Sequence, residues 1–204
     1  GHPFDGLLKE KGFGGFPSLA FMDAEGKVMA KPADRSVKSF RETLTSLSKY
    51  QDLKSRSDKG EKGLEYALFV AEWELGSLDF ENAKTRAEGM GKLSKEQRAT
   101  VEQIVKDADV LATAGTVRDE PSANEAGKRF HGMLEAGYRP GPKAERSFWG
   151  LLARWADENE KVTSLEMALE WMSKYYADQE RMAPELERLR ARVAELKAKA
   201  GAKP

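Results

Sequence analysis

The sequence predicts a mainly α-helical protein with a small α/β part at its start. Two patterns carry this reading. From residue 64 onward, apolar residues recur at helical spacing almost without a break. Before that, residues 17–22 and 27–31 are short apolar runs on either side of Asp23-Ala24-Glu25-Gly26. Asp first and Gly last is the residue order of a type I turn closing a β-hairpin.

Each element follows from local signals. Residues 7–11 read as the end of a helix, with Gly12 as its stop. Pro17 has no N–H to give a sheet ladder, so it belongs at the first residue of its strand. Ser36 is placed to cap a helix that carries Val37, Phe40, Leu44 and Leu47 on one face. Residues 54–63 are polar and basic with no apolar period, the mark of a linker. The expected organisation is therefore a partial α/β unit at 1–53, a linker at 54–63 and an all-helical region at 64–204. Within that region, the helix at 64–75 stops at Gly76. Asp79 caps the next, which runs to Gly89. Ser94 with Gln97 three residues on forms a capping box for a helix reaching about Ala114. Residues 121–136 are followed by the breaker Gly137-Tyr138-Arg139-Pro140-Gly141-Pro142. Helices at 143–159, 162–177 and 184–200 complete the chain.

Composition narrows the function. Lys+Arg and Asp+Glu both number 34 in 204 residues, so the formal net charge is zero. No global field draws the chain to nucleic acid or to an anionic membrane. No apolar run approaches the roughly 18 residues of a membrane helix. Cysteine is absent, which removes disulfides, thiolate nucleophiles and cysteine metal sites. The only two histidines, His2 and His131, do not make a histidine-rich metal centre. No cofactor is implied. No signal peptide is visible after Gly1-His2-Pro3, and cytoplasmic and exported locations both remain open.

The opening stretch resembles the second half of a thioredoxin-like domain. Leu7-Leu8-Lys9-Glu10-Lys11-Gly12 matches a helix end, Gly15-Phe16-Pro17-Ser18 a hydrophobic-Pro-Ser step, residues 19–22 and 28–31 two strands, Asp23 to Lys27 their turn, and residues 36–48 a last helix. The resemblance covers about the first 50 residues. It implies a cis Pro17 and a substrate-peptide edge at Gly15, Phe16, Pro17 and Ser18, where an extended chain adds as a strand. The family's Cys-x-x-Cys lies upstream of this region, and this chain has none. Thiol-disulfide exchange is thus expected only if a preceding segment supplies it, and the chain itself carries no catalytic residue. Three readings follow. One is part of a longer thioredoxin-domain protein with a helical interaction module. Another is a non-catalytic adaptor that binds a protein or peptide partner through its helices, with an oligomer left open. The third is an enzyme with an unrecognised carboxylate or histidine site, for which the residues give no positive sign. The helical region resembles tetratricopeptide hairpins, since Ala71 and Ala83, and Ala156 and Ala168, stand 12 residues apart across short turns.

Other features read as structural. Gly12-Phe13-Gly14-Gly15 has no following Gly-Lys-Ser/Thr and leads into a strand, unlike a phosphate loop. Trp73, Trp149, Trp155 and Trp171 sit among apolar residues at helical spacing and read as core, and Tyr175-Tyr176 as the better exposed aromatic patch. His131 reads as a surface or hydrogen-bonded residue. Leu186, Leu189, Val193 and Leu196 form a stripe that docks the last helix on the body, with a short coiled coil as the alternative.

Overall fold

A computed structural model describes residues 6–11, 13, 18–32 and 34–201. The structure is 71% helical with one two-stranded antiparallel sheet among the described residues, which is the mainly α fold with a small α/β part. It divides into two compact units, Gly1–Val101 and Glu102–Pro204.

The first unit begins with the short helix α1 (Leu7–Glu10). Strands β1 (Phe21–Met22) and β2 (Val28–Ala30) pair with Phe21 opposite Ala30 and a shift of register before Met22 and Val28. Asp23 builds the turn between them. Its carbonyl accepts from the Gly26 N–H at 3.1 Å, and its carboxylate accepts from the N–H groups of Glu25 and Lys27 at 3.1 and 2.8 Å. Gly26 takes φ 76°, the left-handed region that ends such turns. Helix α2 (Val37–Asp58) is capped by Ser36, whose hydroxyl accepts from the Ser39 N–H at 3.0 Å. It lays Leu47 against Ala30, with Phe21, Met29, Tyr50 and Leu75 around them. The stripe expected on α2 splits: Phe40 meets the Phe21 ring at 5.8 Å, while Val37 and Leu44 on its flank stay exposed.

Helix α2 also runs further than its apolar pattern indicates. Residues 54–58, expected in a linker, are helical. Lys54 pairs with Asp58 at 2.5 Å and Arg56 with Asp52 at 3.3 Å, one turn apart. Leu53 is buried against Leu64 and Ala71. The break that remains is short and turns on Gly60 and Gly63, at φ 86° and 81°. Helix α3 (Glu65–Leu75) stops at Gly76 with φ 72°, and α4 (Phe80–Gly89) is capped by Asp79. Ala71 and Ala83 are fully buried, and Arg86 of α4 pairs with Glu72 of α3 beside the Phe69 ring. Helix α5 (Lys95–Thr116) opens on the expected capping box. The Gln97 N–H donates to Ser94 Oγ at 3.1 Å, and the Gln97 side chain accepts from the Ser94 N–H at 2.9 Å.

In the second unit, α6 (Glu120–Glu135), α7 (Glu145–Glu158), α8 (Val162–Tyr175) and α9 (Ala183–Gly201) each pack on the next, with a 3-10 turn at Glu180–Met182 before α9. One continuous core joins Phe130, Phe148, Leu152, Leu165 and Leu189. Its tightest point is Gly127. A Cβ there would stand 2.3 Å from Trp155 Cβ and 2.7 Å from the Leu151 carbonyl oxygen. Only a residue without a side chain lets α6 and α7 meet at this distance. Ala156 and Ala168 are fully buried at the α7–α8 contact, and Trp149 and Trp155 are core, as expected. Helix α9 buries Leu186, Leu189, Val193 and Leu196, so its stripe docks on the body. Two of its arginines converge on Asp157 of α7, Arg188 at 2.8 Å and Arg192 at 3.0 Å. Between α7 and α8, Glu160 sits in the left-handed region at φ 52° and faces Arg192 and Lys199 at 3.4 and 3.6 Å.

Two glycines of α6 separate packing from helix propensity. Gly127→Ala should lower stability by about 1–3 kcal/mol through overpacking. Gly132→Ala, which meets nothing within 4 Å, should raise it by about 0.5–1 kcal/mol through helix propensity. Urea melts of the two variants test this. The Asp119 cap gives a pH signature. Its carboxylate accepts from the Ser122 hydroxyl at 2.5 Å and from the Ser122 N–H at 2.9 Å, which holds its pKa below the ordinary aspartate value. A lowered folded pKa adds stability that is complete above the unfolded value, about 4, and is lost as pH falls through the folded one. The stability gap between the wild-type chain and Asp119→Ala should therefore hold at pH 7 and narrow in acid, read by melts across that range.

Candidate functional site

The residues that the resemblance singles out fall at the edge of what is visible. Gly15, Phe16 and Pro17 lie outside the described residues, and so does the bond expected to be cis at Pro17. Ser18 is described and half-buried, just before β1. Around this region the first unit leaves much apolar surface uncovered. Leu7, Leu19, Met22, Val37 and Leu44 are all exposed, Val37 at 68%. Among the described residues, Tyr175 is the one other large apolar or aromatic side chain so exposed. It stacks on Trp171 with centroids 4.6 Å apart and meets Tyr176 edge-on.

The second unit contains a pocket with convergent polar groups. It is an open cleft of about 410 Å³, lined by His131, Leu134 and Glu135 of α6, Arg139 of the following loop, and residues 160–164 and 167 at the head of α8. His131 comes one helical turn after Gly127, and its ring lies 4.7 Å from that of Trp155. The close α6–α7 approach thus also sets the imidazole. Its Nδ1 is 2.9 Å from Ser164 Oγ, and its Nε2 is 3.3 Å from Glu135 Oε1. Ser164 is buried, and Glu135 is largely solvated.

A second knot of polar groups fixes the loop that carries Arg139. Asp107 of α5 is 3% exposed, and its Oδ1 accepts from the Tyr138 hydroxyl at 2.5 Å, from Gln103 Nε2 at 2.8 Å and from the Gly141 N–H at 3.0 Å. Burial and the adjacent Asp107 carboxylate push the Tyr138 hydroxyl well above the ordinary tyrosine range, so it stays a neutral donor. Gly141 is required here, because a Cβ would lie 2.3 Å from Asp107 Oδ2. With the loop held, the Arg139 guanidinium donates to the carbonyls of Leu134 and Tyr138 at 3.2 and 2.8 Å.

The sequence read His131 as a surface or hydrogen-bonded residue, and it is hydrogen-bonded and largely covered. It gave no sign of Ser164, 33 residues later. Glu135 was legible in principle, since i and i+4 on a helix share a face. Among the described residues, no group of three or more acidic or histidine side chains could hold a metal ion, and no helix is long and apolar enough to cross a membrane. No protein-family model matches the chain, and neither a curated protein nor a solved structure matches it.

Asp107→Ala would strand a buried hydroxyl and an amide, at about 2–4 kcal/mol. Tyr138→Phe keeps the packing and removes one of three donors, so it should cost less. A double-mutant cycle by urea denaturation should return a coupling near 1 kcal/mol or more for this contacting pair.

Proposed function

We propose that the chain is part of a thioredoxin-domain protein. Residues 1–53 would be the C-terminal portion of a thioredoxin-like domain, and the helices from residue 64 onward a protein-interaction module. The supporting observation is the concentration of exposed apolar side chains on α1, the hairpin and the start of α2. A two-stranded hairpin is marginal alone in water, and its free edges invite another strand. A preceding segment that adds strands and a helix would cover Leu19, Met22, Val37 and Leu44. Gly15, Phe16, Pro17 and Ser18 would then form the edge that receives a substrate peptide.

The chain as it stands is silent in thiol chemistry, because the nucleophile in that exchange is a thiolate and no cysteine occurs in its 204 residues. A second reading is a non-catalytic adaptor. It draws on Trp171, Tyr175 and Tyr176 at the end of α8, since aromatic residues are enriched where proteins bind proteins. The balanced charge favours a protein or peptide partner over nucleic acid.

The test is to express the chain with the residues encoded just upstream of it. The proposal expects lower binding of the dye ANS, slower amide exchange at residues 21–30, and insulin reduction by the extended protein alone. An upstream sequence without a strand and a Cys-x-x-Cys, or an extension that leaves exchange at 21–30 unchanged, would sink it.

A further inference from the structure

We infer that Ser164 is an acyl-accepting nucleophile, with His131 as its base, in a pocket that takes a small carboxylic ester. This is independent of the reading of the first unit. A nucleophilic serine needs a base within hydrogen-bond reach, a group that orients the base, and a cavity for the reacting carbonyl. All of these lie together at the head of α8. Ser164 Oγ is 2.9 Å from His131 Nδ1. Glu135 Oε1 is 3.3 Å from Nε2 on the other side of the ring. For Nδ1 to accept the serine proton, the neutral ring must carry its own proton on Nε2, and Glu135 is the acceptor that favours this tautomer. Trp155 holds the ring plane from the side of α7. The open cleft of about 410 Å³ is of the size that small-molecule sites have. Leu134, Val162 and Met167 give it an apolar lining for an acyl chain. The N–H groups of Thr163 and Ser164, in the first turn of α8, have no acceptor within the helix, and both residues line the same pocket.

The chemistry balances with water as the second reactant. Ser164 Oγ forms a bond to the ester carbonyl carbon while its proton passes to His131 Nδ1. The tetrahedral adduct breaks its bond to the alkoxide, which leaves as the alcohol with the proton from Nδ1. Water then gives a proton to Nδ1 and attacks the acyl-serine, and collapse releases the carboxylic acid as Oγ recovers its proton. Ser164 and His131 are the catalytic residues, and Glu135 is a positioning residue.

The test is labelling of the full chain with a fluorophosphonate, read by mass spectrometry of its peptides, together with p-nitrophenyl butyrate hydrolysis. The inference expects one phosphonyl group per chain, on the peptide that contains Ser164. It expects no adduct there in Ser164→Ala, and a labelling rate at least about 100-fold lower in His131→Gln, the share that general-base catalysis supplies. Glu135→Gln keeps an oxygen acceptor for Nε2–H and should retain more of the rate than Glu135→Leu. The adduct map on the wild-type chain does not depend on how any variant folds. Absence of an adduct after prolonged exposure, an adduct on a different residue, or equal rates in wild type and a folded His131→Gln would overturn the inference.

Discussion

The second unit depends on one close approach, the contact of α6 and α7 at Gly127. With no Cβ in the way, the Trp155 side chain rests on the backbone of α6. One turn later the same indole meets the His131 ring, tilted by 32° with centroids 4.7 Å apart. Two consequences follow from that single contact. The core of Phe130, Phe148 and Leu152 is fully buried, and the imidazole is held where Ser164 of α8 can reach it. Close packing of this kind transmits position as well as stability, because interiors are too dense to let one side chain move alone.

The first unit is organised differently. Its core is split into small clusters, one around Ala30, Leu47 and Leu75 and another around Leu53, Leu64 and Ala71. Much of its apolar surface faces water. The charges of the chain, equal in number, are arranged locally in both units as helix pairs and short bridges. Most of those are solvated and contribute little each. The Asp157 site is of another kind, since two arginines of α9 share one largely covered carboxylate.

What the sequence made legible was local. Ser36, Asp79 and Ser94 cap helices with their own side chains, and Gly76 and Gly137 end helices at positive φ; each signal lies within a few residues of its effect. The end of α2 was hidden because charge pairs one turn apart carry it, and these leave no apolar period. Val37 and Leu44 were expected to pack, and they do not, because the surface that would cover them is not supplied by the described residues. The pocket was hidden for a third reason. His131 and Ser164 belong to different helices, and their meeting is decided by the packing of α6, α7 and α8. Gly127 left no distinguishing trace either, since Gly132 lies inside the same helix and meets nothing.

Glu160 shows how local preference and tertiary structure can disagree. A left-handed backbone favours glycine or asparagine, and a longer side chain there costs on the order of 1 kcal/mol or more. The carboxylate of Glu160 nevertheless faces Arg192 and Lys199 of α9. In the language of energy landscapes this is a locally frustrated position, where the turn prefers one residue and the docked helix another. Relief of that frustration in favour of the turn would make the α7–α8 corner easier to form, and would loosen the grip of the unit on its last helix.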